Sequence, residues 1–343
     1  MEHVIQRTID FRPVLEGSFL KISPRDLADA EDEQWPDKAF GIDFIQKLGA
    51  SRPRWLPTSE AINRVASLLE DMPHMFEFFD EVLTTMRLCE RFEANRFTMP
   101  PMIINGPPGV GKSHAIFALS EALGISTSTI PMATVTARFA LTGMERGWKD
   151  PQPGLLAKAA KNSDHINPIF VLDEFEKADF RSLGNTGGLE TVFLEILERD
   201  SSRRFHEVYL EKELDLSEIS FIGASNEIDR VPAALRSRVK QINVGYPEPE
   251  SLVKMVKSIL SKALRDDYGI DCITVDASED VVEVFCGDFS PRTLRNNAGR
   301  ILSPFVMKAE AGDCIQVSSK DLLGRCDSTD SVENRGIGFM AKF

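Results

Sequence analysis

The sequence predicts an α/β fold in which a parallel sheet is flanked by helices and followed by a small α-helical domain. Three observations lead to this prediction: short apolar runs at 102–104, 169–172 and 221–224, helical patterns between these runs, and a helical pattern that takes over after Pro247. Helical segments between successive strands favour right-handed crossovers over hairpins. With 343 residues and 42% apolar side chains, the chain is long enough for two or three packed domains.

Charge and cysteine content limit the binding partners and the cellular compartment that we expect for this chain. The chain has 40 Lys and Arg against 53 Asp and Glu, a net charge of −13, which opposes binding to nucleic acid or an anionic membrane. Its five cysteines contain no C-x-x-C pair, which indicates free thiols in a reducing compartment. No apolar stretch reaches the roughly 20 residues that span a bilayer, and the N-terminus lacks the apolar core of a signal peptide. We therefore expect a cytoplasmic protein without membrane insertion.

The chain is expected to have four parts. Residues 1–57 form a small or irregular N-terminal segment of unknown role, residues 58–247 the large α/β domain with a helical lead-in, residues 248–325 the small helical domain, and residues 326–343 a C-terminal tail. A helix start signal at Thr58 opens the lead-in.

A glycine-containing turn follows the first predicted strand and opens a helix that ends at Gly124. It fits the phosphate-binding pattern G-x-x-x-x-G-K-[ST]. Glycines let backbone N–H groups converge on phosphate oxygens, the helix N-terminus favours negative charge, the lysine can reach the β- and γ-phosphates, and the serine hydroxyl can ligate Mg²⁺. The pattern predicts a nucleotide's phosphates and Mg²⁺ as ligands. Its residues are Gly106, Pro107, Pro108, Gly109, Val110, Gly111, Lys112 and Ser113.

Polar side chains end the next two predicted strands. The run 169–172 leads into Asp173 and Glu174, at the carboxyl edge of a parallel sheet. There Asp173 would hold Mg²⁺ through water and Glu174 would activate the attacking water, which predicts hydrolysis as well as binding. The run 221–224 leads to Asn226, whose amide could bond the water or the γ-phosphate, although Asn after a strand is more often a turn residue.

From about Pro73 to Leu323 the chain resembles AAA+ ATPases, and in particular the ATPase module of the Lon protease family. The segments that carry the resemblance are GPPGVGKS (106–113), G-x-x-x-GW leading to PGLL (143–156), NPIFVLDEFEK (167–177), FLEIL (193–197), FHEVYLEKELDLSEI (205–219) and GASN (223–226).

The resemblance assigns further roles. It implies that Asn226 is the sensor-1 residue, that Arg238 is the arginine finger given to a neighbouring subunit, and that Arg292 is the sensor-2 residue. Arg236 and Arg295 are the nearest rivals for the two arginine roles.

The resemblance also implies a loop that contacts substrate in a central pore. In the family an aromatic and an aliphatic residue stand before the Pro-Gly, and here these positions hold Trp148 and Lys149. Lys149 departs from the family's aliphatic residue, and a Trp in an α/β domain is otherwise more often a core residue.

Two departures limit what the resemblance implies. The family's peptidase domain follows the small domain, but about twenty residues remain here after Leu323, so we expect no protease activity of the chain itself. The family's long N-terminal recognition region is replaced by a short, different segment.

These observations together predict an ATP-hydrolysing ring, with six subunits as the expected number, that remodels, unfolds or disassembles a protein partner. A separate protease or effector could act with it. One alternative is a nucleic-acid-linked loader or transposition-type regulator, against which the net charge counts. Another is a nucleotide-dependent assembly switch that hydrolyses slowly.

Overall fold

The computed structural model describes residues 16–22, 35–180, 188–285 and 291–323. Its strands are β1 Glu16–Gly17, β2 Arg52–Pro53, β3 Met102–Asn105, β4 Thr127–Pro131, β5 Ile169–Asp173, β6 Phe205–Glu207, β7 Lys212–Leu214, β8 Ser220–Ser225, β9 Lys240–Asn243, β10 Thr274–Ala277 and β11 Cys314–Val317. Its α-helices are α1 Lys38–Gly49, α2 Ser59–Asp71, α3 Phe76–Arg91, α4 Lys112–Leu123, α5 Arg138–Thr142, α6 Leu155–Lys161, α7 Leu189–Ile196, α8 Arg199–Ser202, α9 Ala233–Arg236, α10 Pro249–Tyr268, α11 Val281–Phe285, α12 Pro291–Val306 and α13 Ser319–Leu323.

A five-stranded sheet in the order β4-β5-β8-β3-β9 lies at the centre of the α/β part. β5 pairs in parallel with β4 on one side and with β8 on the other, and β8 pairs in parallel with β3. The carboxyl ends of these parallel strands therefore share one edge of the sheet. Ile104 lies opposite Ala224 and Asn105 opposite Ser225, which sets that edge. The predicted α/β class with a parallel sheet is confirmed.

The chain divides into two compact units. One comprises the described residues of Met1–Val65, Asp80–Asn105 and Ile116–Ile242, and the other those of Ala66–Phe79, Gly106–Ala115 and Asn243–Phe343. We call them the sheet unit and the lid unit. The predicted boundary near residue 247 stays a prediction, and the predicted tail 326–343 lies outside the described residues.

The N-terminal segment differs from the irregular structure expected for it. β1 and β2 form an antiparallel pair, and α1 begins after Asp37, whose carboxylate accepts a hydrogen bond from the Phe40 N–H at 3.0 Å. α1 buries Phe44 and Leu48 in the same hydrophobic cluster as Phe170 of the sheet. The signal was present in the sequence, because apolar residues recur at helical spacing after an Asp cap, but the surrounding polar, proline-containing stretch favoured an irregular interpretation.

The lid unit has its own core, formed by α10, α12 and the short strands after α10. Leu260 and Leu264 of α10 and Leu294 and Ile301 of α12 are almost completely buried. The helices predicted after the sheet are confirmed, and β10 and β11 add a short parallel pair that the sequence analysis did not predict. Each strand has only four residues, too short for a distinct alternating pattern in the sequence.

Local start and stop signals agree with the sequence analysis. The Thr58 hydroxyl accepts a hydrogen bond from the Ala61 N–H at 3.2 Å and caps α2. α4 ends at Gly124, whose φ of 66° lies in the left-handed region that favours glycine.

Within the described residues, no helix is both long and apolar enough to cross a membrane.

Candidate nucleotide site

The loop Gly106–Ser113 follows β3 in the chain and opens directly into α4. Gly109 and Gly111 have φ values of 80° and 97°, which residues other than glycine rarely adopt. A Cβ on Gly106 would lie 2.3 Å from the carbonyl oxygen of Val244, so this position also requires glycine. The loop conformation is therefore the one for which its glycines are needed.

Lys112 is folded onto this loop. Its side chain is only 7% exposed, and its Nζ donates hydrogen bonds to the carbonyls of Gly106 at 2.8 Å and Pro107 at 2.9 Å. The loop thus holds a cation close to its own backbone and to the N-terminus of α4, whose N–H groups favour an anion. The residues present fit a phosphate group.

His74 contacts the same loop, and the sequence analysis missed it. Its Nε2 lies 3.0 Å from the Val110 carbonyl oxygen, and its Nδ1 is buried with no hydrogen-bond partner among the described residues. Burial lowers the pKa of His74, and the bond to Val110 opposes that shift in part. A single histidine in an acidic, proline-flanked stretch carries no signal for this contact.

The acidic pair after β5 lies where the sequence predicted it. The first four residues of β5 are buried and Asp173 is half-buried. Glu174 has φ 52° and ψ 48°, a left-handed conformation that is uncommon for residues other than glycine and concentrates at functional sites. Its carboxylate contacts Lys177, and this hydrogen bond raises the pKa of the lysine.

Asn226 follows β8, the strand next to β5. Its Nδ2 donates a hydrogen bond of 3.0 Å to Oε1 of Glu176, a residue that is 6% exposed. The sheet edge therefore brings the acidic pair and Asn226 onto neighbouring strands. Glu176 was not singled out from the sequence, because an acid two residues after the pair resembles an ordinary surface charge.

The two candidate finger residues have different surroundings. Arg236 is half-buried and pairs with Asp229 at 2.9 Å within the same chain. Arg238 is exposed, and its guanidinium donates to the Ala234 carbonyl at 3.0 Å. In the lid unit, Arg292 is exposed, whereas Arg295 is half-buried and pairs with Asp267 at 2.8 Å. Arg238 and Arg292, the residues to which the resemblance assigns these roles, are thus the more accessible member of each pair.

Trp148 and Lys149 lie on an exposed loop between α5 and α6. The Trp148 side chain is 61% exposed, so it is not a core residue. The Met144 N–H donates to the Gln152 carbonyl at 3.0 Å and closes the base of the loop. The exposed aromatic is available to a partner molecule.

A buried carboxylate holds the two ends of this loop. Oε1 of Glu207 accepts from the Gly154 N–H at 2.7 Å, and a Cβ on Gly143 would lie 2.3 Å from the same oxygen. Oε2 accepts from the Leu210 N–H at 2.6 Å. Burial raises the pKa of Glu207 to about 7, while these backbone donors and Arg146 oppose the shift. Sequence reasoning did not identify Glu207.

Arg146, which lies within the same loop, also ties it to the segment after β6. Its guanidinium donates to the carbonyls of Tyr209 at 2.7 Å and Leu210 at 3.1 Å. It also lies 3.6 Å from the centre of the Trp35 ring, a cation–π contact. The loop with Trp148 is therefore fixed at its base and exposed at its tip.

Comparison with known proteins agrees with this geometry. Residues 102–246 match the family model described as ATPase family associated with various cellular activities (AAA). The chain is 28% identical to Lon protease of Frankia alni over 65% of its length and 26% of that protein. It is 26% identical to Lon protease 1 of Bacillus subtilis over 76% of its length and 34% of that protein. It is 26% identical to the peroxisomal Lon protease homolog 2 of Caenorhabditis briggsae, over 70% of its own length and 31% of that protein.

The predicted resemblance is confirmed: residues 102–246 match the AAA family model, and 65% to 76% of the chain is similar to Lon proteases. It spans 26% to 34% of the length of these relatives.

Proposed function

We propose that this chain hydrolyses ATP as a subunit of a closed ring, with six as the expected number of subunits. The ring uses the energy to remodel, unfold or disassemble a protein partner, alone or with a separate protease or effector. The observation that carries the proposal is the loop Gly106–Ser113, in which left-handed glycines and the inward-folded Lys112 form a cradle for phosphate. The loop lies within residues 102–246, which match the AAA family model, and this match supports ATP as the nucleotide.

Each residue has a stated part in the proposed reaction. Lys112 and the loop N–H groups bind the phosphates and balance their charge. Ser113 and Asp173 are the hard oxygen donors that would hold Mg²⁺, Asp173 through water, and the ion supplies charge neutralisation at the phosphate oxygens. Glu174 takes a proton from the attacking water, and Asn226 holds that water or the γ-phosphate.

Three further residues have proposed parts outside the phosphate loop and the sheet edge. The exposed Arg238 reaches the nucleotide of the neighbouring subunit and stabilises charge in the transition state, and Arg292 acts from the lid unit. A contact in which each subunit supplies a residue to the next must close into a ring to complete every site. Trp148, beside Lys149, grips the polypeptide by packing against passing side chains.

Two variants that should separate ATP binding from ATP hydrolysis test the roles given to Lys112 and Glu174. Lys112→Ala should lose ATP affinity, because it removes the cation of the cradle. Glu174→Gln should keep ATP bound and slow hydrolysis by roughly 10² to 10⁴, because only water activation is removed. Calorimetric titration with ATP measures binding, and phosphate release measures turnover.

Exposed residues of like charge provide the controls. Lys254→Ala and Glu213→Gln change charges outside the proposed site and should leave both quantities as in the wild type. Equal loss of ATP binding in Lys112→Ala and Glu174→Gln would contradict the roles given to them.

A further inference from the structure

Glu176 is a buried carboxylate with an incomplete set of partners. It is 6% exposed, Oε1 accepts from Asn226, and Oε2 is buried without a hydrogen-bond partner among the described residues. A buried polar atom left unpaired lowers stability, and such atoms are few in native proteins. An apolar side chain would avoid the unpaired oxygen but would lose the bond to Asn226, so that bond is what the carboxylate supplies at this position.

The bond to Glu176 determines how the amide of Asn226 is oriented. A carboxylate offers only acceptors, whereas an amide has a donor end and an acceptor end of nearly equal shape. Nδ2 of Asn226 must therefore face Glu176, which turns Oδ1 away from it.

The same contact joins the segments that follow two neighbouring strands. Glu176 lies in the short 3₁₀ turn Phe175–Lys177, directly after Glu174, and Asn226 directly follows β8. The turn is anchored by Phe175, whose ring packs edge-to-face against Phe193 with centroids 4.9 Å apart. The Lys177 N–H closes the turn on the Glu174 carbonyl at 2.8 Å. Glu176 thus lies in a rigid turn that begins at Glu174.

We propose that Glu176 is a positioning residue for ATP hydrolysis: it orients Asn226 so that the amide oxygen serves as the acceptor for the attacking water. The inference rests on the proposed function and deepens it. Glu176 does not itself take the proton, which remains the part of Glu174. Its effect reaches the water only through Asn226.

Replacement by methionine tests this. Glu176→Met keeps the length of the side chain and removes both acceptor oxygens. We expect kcat to fall by about 10- to 100-fold, the range found when partners that orient a ligating or reacting group are removed. Affinity for ATP should stay as in the wild type. The thermal midpoint should change little, because loss of the bond to Asn226 is offset by loss of the unpaired buried oxygen. Glu176→Gln, which keeps one acceptor oxygen, should retain more activity than Glu176→Met.

A double-mutant comparison separates positioning from other roles. If Glu176 acts only through Asn226, Glu176→Met combined with Asn226→Ala should be no slower than Asn226→Ala alone. Glu213→Met, an exposed residue, is the matched control and should leave kcat unchanged.

The outcomes are distinct. A wild-type rate in Glu176→Met, an additive double mutant, or a parallel loss of folding and ATP binding in both Glu176 variants would overturn the inference. Absence of hydrolysis in the wild-type protein would instead overturn the proposed function.

Discussion

Glu174, Glu176 and Glu207 show how differently single residues of one type are used. Glu174 has a left-handed backbone and contacts Lys177, Glu176 is buried against Asn226, and Glu207 is buried against backbone N–H groups. At this scale, burial and the available donors decide the chemistry of a carboxylate.

Glu207 predicts a pH dependence of stability. Its pKa rises from 4.5 to about 7 on folding, so between these values the folded protein binds more protons than the unfolded chain. The free energy of unfolding should therefore fall as pH rises through this window, by about 3 kcal/mol from this group, and level off above it. Urea unfolding measured from pH 5 to pH 8 tests this.

The Glu207→Gln variant should lose that component of the pH dependence, because its side chain does not titrate. Gln also places a donor against one of the backbone N–H groups, so the slope with pH is the informative quantity and not the absolute stability. Glu213→Gln in the same hairpin is exposed and should keep the wild-type slope. Equal slopes in Glu207→Gln and wild type would contradict the assignment.

The loop from Gly143 to Gly154 is the element on which the remodelling proposal depends. Glu207 and Arg146 fix its base to the β6–β7 hairpin, and Trp148 remains exposed at its tip. In the proposed mechanism, a fixed base would let the tip move with its domain when the nucleotide state of the subunit changes.

Removal of the aromatic tests this element. Trp148→Ala should abolish stimulation of ATPase and remodelling by a chemically unfolded model protein, because the grip is lost. The thermal midpoint should not change, since the side chain is 61% exposed, whereas a core Trp would cost about 3 to 5 kcal/mol. Coupled ATPase and unfolding assays measure the effect.

Two variants complete this experiment. Phe92→Ala removes another exposed aromatic, 75% accessible, and should retain stimulation. Lys149→Ile should shift any preference for acidic substrate segments. A Trp148→Ala protein that still remodels substrate would contradict threading and favour the assembly switch.

The whole molecule is expected to work only as an assembly. Arg238 is exposed on its own subunit, while its rival Arg236 is held by Asp229. Arg238→Ala should bind ATP and hydrolyse it slowly, since an arginine finger contributes about 10³ to 10⁵ in rate in related systems. Mixing Arg238→Ala with Lys112→Ala subunits should restore part of the activity, at interfaces that pair an intact nucleotide site with an intact finger.

Phosphate release over a series of mixing ratios, with light scattering to follow assembly, measures this effect. Arg236→Ala mixed in the same way is the parallel comparison that decides between the two arginines. Full-rate hydrolysis by monomers at high dilution would contradict a finger supplied by a neighbour. Salt-sensitive binding of DNA would favour the nucleic-acid-linked alternative, against which the net charge of −13 counts.

Much of the fold and of the candidate site could be predicted because its signals are contiguous. The loop Gly106–Ser113 follows a short apolar strand, and Asp173 and Glu174 end another, so their placement follows from local chain geometry. The paired strands of the lid unit were missed because each has four residues, and packing determines such short strands more than periodicity does. The helix Lys38–Gly49 was missed although its Asp cap and apolar spacing are present, because the polar, proline-containing stretch around it was interpreted as irregular.

The sequence by itself determined the phosphate loop, the acidic pair and the apolar strands that carry them, since these depend on neighbours in the chain. Only the tertiary structure decided which polar groups support them. Glu176 meets Asn226 across 50 residues, Glu207 meets Gly154 across 53, and His74 meets Val110 across 36. Such contacts depend on which elements pack together and how deeply each group is buried, and a linear pattern of residue types records neither.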